Sequence, residues 1–398
     1  MTVAADRAAV LAALRARRDL ADWSVRVVTT QRAWRRLGEL AGAGTATGAT
    51  LVVAIHRDGP AGRGSASFTV TAGADARPLL ALAVARAAAA LGPSWSSPAP
   101  AAPARVDTAD PDVAGSPTAA VEALVAELAA AAAPAALTAA DVTAEVADVE
   151  VVTRREQRAA WRETALTVTA TLADGATLDV RARRAPELEL AAAIARARAA
   201  TTRAPLAPGR YPVALTAAAL LHGDRGLLAA FVAQADPRLE RQGLVRYRPG
   251  QPIGAGATLT LTSDGTLPFG WYSAPLGLHG EAVRRFPLVN RGVAVGLGFD
   301  DREAALRGEL PNGGVRGLVI PPGTDDEATL RADAVVIDAL DWLEVEPTTG
   351  WFRAGVGGAT LRGDAIDLLG RARTSATTWT TPTYRGPALW HLGPVTVD

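Results

Sequence analysis

PLAPGRYPVALTAAALLHGDRGLLAAFVAQA, residues Pro205 to Ala235, is the segment around which this chain is organised. It reads as a strand followed by a helix. Tyr211 to Leu215 is a short apolar run typical of a strand, and Thr216 stands where a helix N-cap belongs. The segment therefore predicts a helix that begins near Ala217.

One face of the predicted helix is apolar. Its large apolar residues recur at helical spacing, which indicates that this face is buried: Leu220, Leu227, Leu228 and Phe231. Gly223 and Gly226 weaken the middle of the helix by about 1 kcal/mol each relative to alanine. A helix weakened in this way needs support from the rest of the fold.

The chain beyond Ala235 predicts a domain that is mostly antiparallel β, curved, with few helices. Short apolar or alternating runs typical of strands lie at residues 257–262, 283–289, 293–299, 315–320, 335–343, 351–356 and 395–397. Asp300 and Glu303 form a candidate capping box that opens a short helix to Leu306. Residues 364–369 are a second short helical candidate.

The first half of the chain contains one pattern twice. A strand, a hairpin and a helix occur before residue 92, and the same succession returns between residues 142 and 200. Residues 92–117 are rich in Pro, Ser and Ala without periodicity, which favours a linker or a surface excursion. We therefore predict an α+β protein. Residues 1–205 form an N-terminal domain in which two similar units share a mixed or antiparallel sheet with helices packed on a face, and residues 206–398 form the β-rich domain.

Composition excludes several function classes. Among 398 residues, Lys plus Arg equals Asp plus Glu at 41 each, so no net charge favours nucleic acid or an anionic membrane. The chain has no cysteine, which excludes disulfides, thiolate nucleophiles and thiolate zinc ligands. The charged first helix is unlike a signal peptide, and we find no apolar run long enough to span a bilayer. We expect a cytoplasmic protein that binds neither nucleic acid nor membrane.

Five segments carry a resemblance to a known family. They are PGRYPVALTAAAL, LTLTSDGTLPFG, RRFPLVNRGVAVGL, GLVIPPG and WFRAGVGGATLRGD, and together they resemble the C-terminal half of the TldD/PmbA family. The resemblance implies two related subunits that pair to form a zinc peptidase, with an HExxxH motif on the helix after the YPV strand of the catalytic subunit. In this chain Ala219 to Gly226 reads ALLHGDRG, without the motif. The chain therefore resembles the PmbA/TldE-like subunit, which lacks zinc ligands of its own.

The resemblance also implies partners and a substrate. The partner is a TldD-like subunit that bears HExxxH and zinc, joined to this chain as a heterodimer, so we expect no cofactor and no catalytic or metal-binding residue here. The substrate is an unfolded or modified peptide, which lies beside an exposed strand in this family. The alternative is a non-proteolytic homo-oligomer, descended from the family, that binds a peptide or small molecule.

The histidines give no local metal motif. Only His56, His222, His279 and His391 are present, and no two lie on neighbouring turns of one helix. One hypothesis assembles a distant site from His222, His279, Glu281 and His391. The favoured interpretation is that His222 fills the end of its helix and that the other three histidines are surface or loop residues.

The candidate site residues lie mainly in one long loop. Ser263 to Glu281 has a cluster of aromatic residues and resembles a family segment rich in acidic residues and glycine. Together with His222, the candidates for a substrate groove or an interface are Asp264, Phe269, Trp271, Tyr272, His279 and Glu281. The other interpretation is an ordered loop that packs its aromatic side chains inside its own domain.

Overall fold

Three β-sheets form the framework of the part of the chain that the structure describes. The computed structural model describes residues 3–71, 73–97, 99–133, 137–201 and 206–398. One sheet of six strands comes from the first half of the chain, and sheets of six and seven strands come from the second half. Helices pack against these sheets, so the predicted α+β class is confirmed.

The first half contains five α-helices and six strands among the described residues. They are α1 (Val3–Ala16), β1 (Asp22–Leu37), β2 (Gly42–Gly59), β3 (Gly62–Thr71), α2 (Ala76–Ala89), α3 (Pro111–Gly115), α4 (Pro117–Ala132), β4 (Leu137–Thr153), β5 (Arg158–Leu172), β6 (Thr177–Ala182) and α5 (Leu190–Thr201), with a 3₁₀ turn at Ala185–Leu188.

The six strands of the first half form one antiparallel sheet in the order β3-β2-β1-β4-β5-β6. Its two halves are the meanders β1-β2-β3 and β4-β5-β6, which meet where β1 pairs with β4 and Ser24 lies opposite Thr153. This arrangement confirms the predicted antiparallel sheet. The division into domains between residues 205 and 206 stays a prediction, and Pro205 itself lies outside the described residues.

Helices cover one face of this sheet because apolar residues alternate along its strands. Val25 and Leu51 pack with Leu80 of α2, and on the other half Val142 packs with Leu124 of α4. All of these side chains are at least nine-tenths buried. The predicted helix-covered face is confirmed.

Of the two predictions for residues 92–117, a linker or a surface excursion, the structure agrees with the surface excursion. Trp95 and Thr108 are buried, and the Ala104 N–H donates a hydrogen bond of 2.9 Å to the Pro275 carbonyl. Helix α3 already begins at Pro111, where the Asp110 carboxylate caps it. The segment packs along the protein because its tryptophan and backbone groups find partners there. We call residues 92–110 the strap; Pro98 within it lies outside the described residues.

The second half of the chain contains six α-helices and thirteen short strands. They are β7 (Gly209–Thr216), α6 (Ala217–Leu220), α7 (Ala229–Gln234), α8 (Pro237–Arg241), β8 (Leu261–Asp264), β9 (Arg285–Asn290), β10 (Val293–Ala294), α9 (Asp301–Arg307), β11 (Gly317–Val319), α10 (Glu327–Ala332), β12 (Val335–Ile337), β13 (Trp342–Val345), β14 (Trp351–Val356), β15 (Ala359–Asp364), α11 (Ala365–Gly370), β16 (Arg373–Thr374), β17 (Thr378–Thr381), β18 (Tyr384–Pro387) and β19 (Leu389–Val397).

These strands form two mostly antiparallel sheets. Their orders are β10-β9-β8-β11-β18-β17 and β12-β7-β19-β15-β14-β13, with β16 also paired to β19. Only the pairs β11–β18 and β7–β12 are parallel among the described strands. The sheets share one core in which Phe231, Tyr384 and Trp390 are fully buried.

The helix predicted from Ala217 is broken. Helix α6 ends at Leu220, a turn and a 3₁₀ segment (Gly226–Leu228) follow, and α7 resumes the helix at Ala229. Gly226 has φ +49°, and a Cβ there would lie 1.8 Å from the Leu220 carbonyl oxygen. The backbone turns where only glycine fits. Gly223 and Gly226 therefore lie in a turn that interrupts the helix, rather than inside a helix that they weaken. The predicted cap is confirmed, because the Thr216 hydroxyl accepts from the Ala219 N–H.

Three predicted strands differ most in extent. The run 257–262 overlaps β8 only at its last two residues, the run 293–299 forms a strand only at Val293–Ala294, and the run 335–343 splits into β12 and β13. No helix among the residues described is long and apolar enough to cross a membrane.

Candidate functional site

A cleft of about 1220 Å³ lies between the two halves of the chain. Strand β6 and helix α5 line it from the first half. The turn after α6, the residues that follow β12, and strand β17 line it from the second half. The cleft therefore lies beside the position at which the sequence departs from HExxxH.

Both strands that line the cleft are edge strands. Strand β6 ends one sheet and pairs with β5, and strand β17 ends another and pairs with β18. An edge strand presents unpaired backbone donors and acceptors to whatever lies beside it. An extended peptide in this cleft can therefore bind by backbone hydrogen bonds on either side.

One wall of the cleft is an aromatic and ionic stack. The Arg181 guanidinium lies 4.7 Å from the ring centroid of Trp271 and 2.8 Å from a carboxylate oxygen of Asp224. The Tyr272 hydroxyl donates a hydrogen bond to the same carboxylate, although Tyr272 itself does not line the cleft. The Arg225 guanidinium lies 4.1 Å from the centroid of the Tyr272 ring. Burial raises the pKa of Tyr272, so this phenol stays a hydrogen-bond donor.

A second arginine and tryptophan form a similar pair. Arg196 of α5 lies 5.6 Å from the ring centroid of Trp379 on β17 and 3.7 Å from Glu189. In both pairs the arginine comes from the first half of the chain and the tryptophan from the second half. Such surfaces hold both apolar side chains and peptide groups.

His222 lies in the turn after α6 and lines the cleft. Burial lowers the pKa of this histidine, and nearby Asp341 opposes that shift. His222 is therefore a neutral imidazole near pH 7.

The residues at this position do not fit a zinc ion. His222 is the one imidazole lining the described cleft, and Asp224 is held by Arg181 and Tyr272. Within the described ranges, no three His, Asp or Glu side chains lie close enough to hold a metal ion. The hypothetical set of His222, His279, Glu281 and His391 is divided between this cleft, a second pocket and strand β19.

A buried arginine fixes the long loop of residues 263–281, which we call the aromatic loop, to the first half of the chain. Arg183, just after β6, is 4% exposed, and its guanidinium donates to the carbonyls of Thr108, Gly270, Trp271 and Ser273. One of its nitrogens lies 3.6 Å from Glu163. Arg183 thus joins strand β6, the strap and the aromatic loop at one point.

His279 and Glu281 lie in a second, much smaller pocket of about 30 Å³. There His279 accepts or donates a 3.3 Å hydrogen bond with Ser24 of β1, and its ring centroid lies 6.4 Å from that of His56. Glu281 accepts hydrogen bonds from the backbone N–H groups of Leu278 and His279. Its carboxylate therefore shapes the loop as well as lining the pocket.

The small pocket shifts the pKa values of two further side chains, His56 and Asp301. Burial and His279 lower the pKa of His56 to about 4. Burial together with the carboxylates of Glu281, Asp300 and Asp22 raises the pKa of Asp301 to about 8. The pocket therefore holds a neutral histidine and a protonated carboxyl group at neutral pH, two features often found at functional sites.

The other candidates support the loop. Asp264 accepts from the backbone and hydroxyl of Thr266, and the Phe269 N–H donates to the Asp107 carbonyl of the strap. The seven candidates therefore separate into cleft residues (His222, Trp271, with Tyr272 behind), pocket residues (His279, Glu281) and supports (Asp264, Phe269).

Sequence reasoning missed several residues that the structure brings to these sites. In the cleft they are Arg181, Arg196, Asp224 and Trp379, and in the pocket they are Asp22, His56 and Asp301. His56 and His391 lie on strands β2 and β19 rather than in loops, which corrects the interpretation of both. The two walls come from distant parts of the chain, so no local spacing marks them.

The chain is similar to known proteins in sequence over part of its length and in fold over nearly all of it. Residues 208–365 match the family model described as PmbA/TldA metallopeptidase C-terminal domain. The fold is similar to a crystal structure from Thermotoga maritima described as a candidate modulator of DNA gyrase, with TM-score 0.77, 15% identity and 99% of both chains covered. It is also similar to TldE from Thermococcus kodakarensis, with TM-score 0.73, 15% identity, and 95% of this chain and 96% of that chain covered.

A third similar structure comes from Bacteroides thetaiotaomicron and is also described as a candidate modulator of DNA gyrase. Its TM-score is 0.77 at 14% identity, with 99% of this chain and 98% of that chain covered. No curated protein matches the sequence. At these identities the likeness to solved structures shows a shared fold.

Proposed function

We propose that this chain, whose residues 208–365 match the PmbA/TldA metallopeptidase C-terminal domain model, is the subunit without zinc ligands in a two-subunit TldD/TldE metallopeptidase. It forms a heterodimer with a TldD-like subunit that carries HExxxH and zinc. The complex degrades or trims unfolded or modified peptides.

One observation carries the assignment of the non-catalytic role. At the position of the family motif the chain reads ALLHGDRG, and its backbone leaves the helix at Leu220. A zinc site of this type needs two histidines on neighbouring turns of one helix. Here the turn at Gly223 and Gly226 removes the helix that would carry them.

The cleft supports a role in holding substrate. Two edge strands line it, and two of its tryptophans each lie under an arginine. Backbone pairing takes extended chains with little preference for sequence. The subunit thus contributes a peptide-holding surface while its partner contributes the metal.

Co-expression with the HExxxH-bearing relative encoded nearest to this gene tests the proposal. We expect size exclusion with light scattering to show the two chains in equal numbers, about one zinc per pair, and peptidase activity only when both chains are present. The matched control is a partner whose two motif histidines are replaced by alanine, which should retain the pairing and lose zinc and activity. A chain that binds zinc and cleaves peptides alone, or that ignores the relative and assembles with itself as a zinc-free binding protein, contradicts the proposal.

A further inference from the structure

Strand β2 extends beyond the strand that covers its outer side. β3 pairs with β2 from Thr50 to Gly59, whereas β1 pairs with β2 along nearly its whole length. Residues 42–49 therefore have β1 on one side, and on the other side no strand among those described. We call residues 42–49 the open edge.

The open edge lacks the usual protection against strand pairing. It reads GAGTATGA, with no charge, no proline and no side chain larger than threonine. Most of its residues are exposed. Edge strands of natural proteins normally carry charges, bulges or proline that prevent pairing with another strand. The edge strand at the other end of this sheet, β6, carries Asp179 and Arg181, so the two ends differ.

The open edge is also symmetric in sequence. Residues 43–49, AGTATGA, read the same in both directions around Ala46. When two copies pair antiparallel about a two-fold axis at Ala46, Thr45 faces Thr47 of the other copy and Gly44 faces Gly48. Every pair then consists of identical residues, and threonine pairs are favourable across antiparallel strands. The small side chains allow this close approach.

We propose that the open edge binds a second copy of this chain. Paired in this register, the two six-stranded sheets become one sheet of twelve strands, six from each copy. A two-fold interface is isologous, so a self-complementary segment is the feature it requires. The β6 edge and its cleft lie at the opposite ends of the joined sheet and stay open. The inference does not depend on the proposed peptidase function.

Two double variants test this pairing, and they differ only in the sign of one charge. In Thr45→Lys/Thr47→Lys, each pair across the two-fold axis brings two lysines together, and we expect the dimer dissociation constant to rise at least about tenfold. In Thr45→Lys/Thr47→Glu, each lysine faces a glutamate, and we expect dimerisation to persist. The measurement is molar mass by light scattering over a concentration series, where the monomer is 40.9 kDa.

The single variant Ser67→Lys adds a lysine at an exposed position of β3 that pairs with Ala54, away from the open edge, and should leave the dimer unchanged. Equal thermal unfolding of all variants shows that the fold is retained. A wild-type chain that stays monomeric at every concentration overturns the proposal. Equal dimerisation of the two double variants also overturns it. So does a result in which the lysines of the open edge weaken only the complex with an HExxxH-bearing partner.

Discussion

The Arg183 guanidinium donates a hydrogen bond of 3.2 Å to the carbonyl oxygen of Trp271. Arg183 follows the edge strand β6, and Trp271 belongs to the aromatic loop of the second half. The same guanidinium also bonds the carbonyls of Gly270, Ser273 and Thr108. One wall of the cleft is therefore held by a single buried cation from the other half of the chain.

Arg183→Met tests this anchor. The variant keeps an apolar stem and removes the donors, so several buried carbonyls lose their partner. We expect the free energy of unfolding to fall by about 3 kcal/mol, measured by urea denaturation. The matched control is Arg181→Met, two residues earlier, where the ion pair with Asp224 is partly exposed and the loss should be less than about 1 kcal/mol. Equal losses for the two variants would contradict a special role for Arg183.

The small pocket predicts a particular dependence of stability on pH. Asp301 has a pKa raised from 3.8 to about 8, so folding binds an extra proton in this window and Asp301 lowers stability as pH rises through it. His56 has a pKa lowered from 6.5 to about 4, so its contribution to stability is lost as pH falls through that window. The two effects oppose each other between about pH 4 and 6.5. Above pH 6.5 only the loss from Asp301 remains.

Single variants separate these two effects. Asp301→Asn should remove the decline between pH 6.5 and 8, and stability should then rise from pH 4 to 6.5 and level off. His56→Gln should leave a continuous decline from pH 4 to 8, with a slope of up to about 1.4 kcal/mol per pH unit. Urea unfolding at a series of pH values measures both. Asp22, Arg155, His279 and Glu281 face the same pocket, and an unchanged profile in both variants would assign the dependence to them.

The break after α6 predicts unequal effects of two similar substitutions. At Gly226 a Cβ would lie 1.8 Å from the Leu220 carbonyl oxygen, whereas at Gly223, which also has positive φ, no atom lies within 4 Å. Gly226→Ala should lower the free energy of unfolding by at least about 3 kcal/mol. Gly223→Ala should cost about 1 kcal/mol from backbone strain alone. Similar urea midpoints for the two variants would show that the backbone can move away from the clash.

The position of the cleft predicts that Trp379, and not Trp351, contributes to binding a peptide substrate. In the complex with the catalytic partner, Trp379→Ala removes the ring that Arg196 covers, and we expect KM for a peptide substrate to rise about tenfold while kcat changes little. Trp351 is 57% exposed and outside the cleft, so Trp351→Ala is the matched control and should leave KM unchanged. A KM that responds to neither change, or to both equally, would argue against binding in this cleft.

Local signals predicted local structure well. The strand, hairpin and helix predicted between residues 142 and 200 coincide with β4, β5, β6 and α5, and the caps at Thr216 and Asp300 accept the N–H groups expected of them. A cap or an alternating strand depends on neighbours within a few residues, which the sequence shows directly.

The residues of the two candidate sites are far apart in sequence and meet only in the folded chain, so their spacing in the sequence did not predict them. His56 and His279 meet because β2 and the aromatic loop pack together, and Arg196 reaches Trp379 across the cleft. From the sequence, Gly226 indicated only a small loss of helix stability. The clash that requires glycine there, with the Leu220 carbonyl oxygen, exists only once the turn has folded. Only the family resemblance connected the helix after β7 with a functional position.

The repeated meanders of the first sheet have a consequence for how the chain folds. Within β1-β2-β3 and within β4-β5-β6, each strand pairs with the next one along the chain, so each meander closes short loops. Joining β1 to β4 brings Ser24 to Thr153 and closes the long loop that contains the strap and three helices. The largest loop-closure entropy of this sheet therefore falls on one step, and we expect that step to limit how fast the sheet forms.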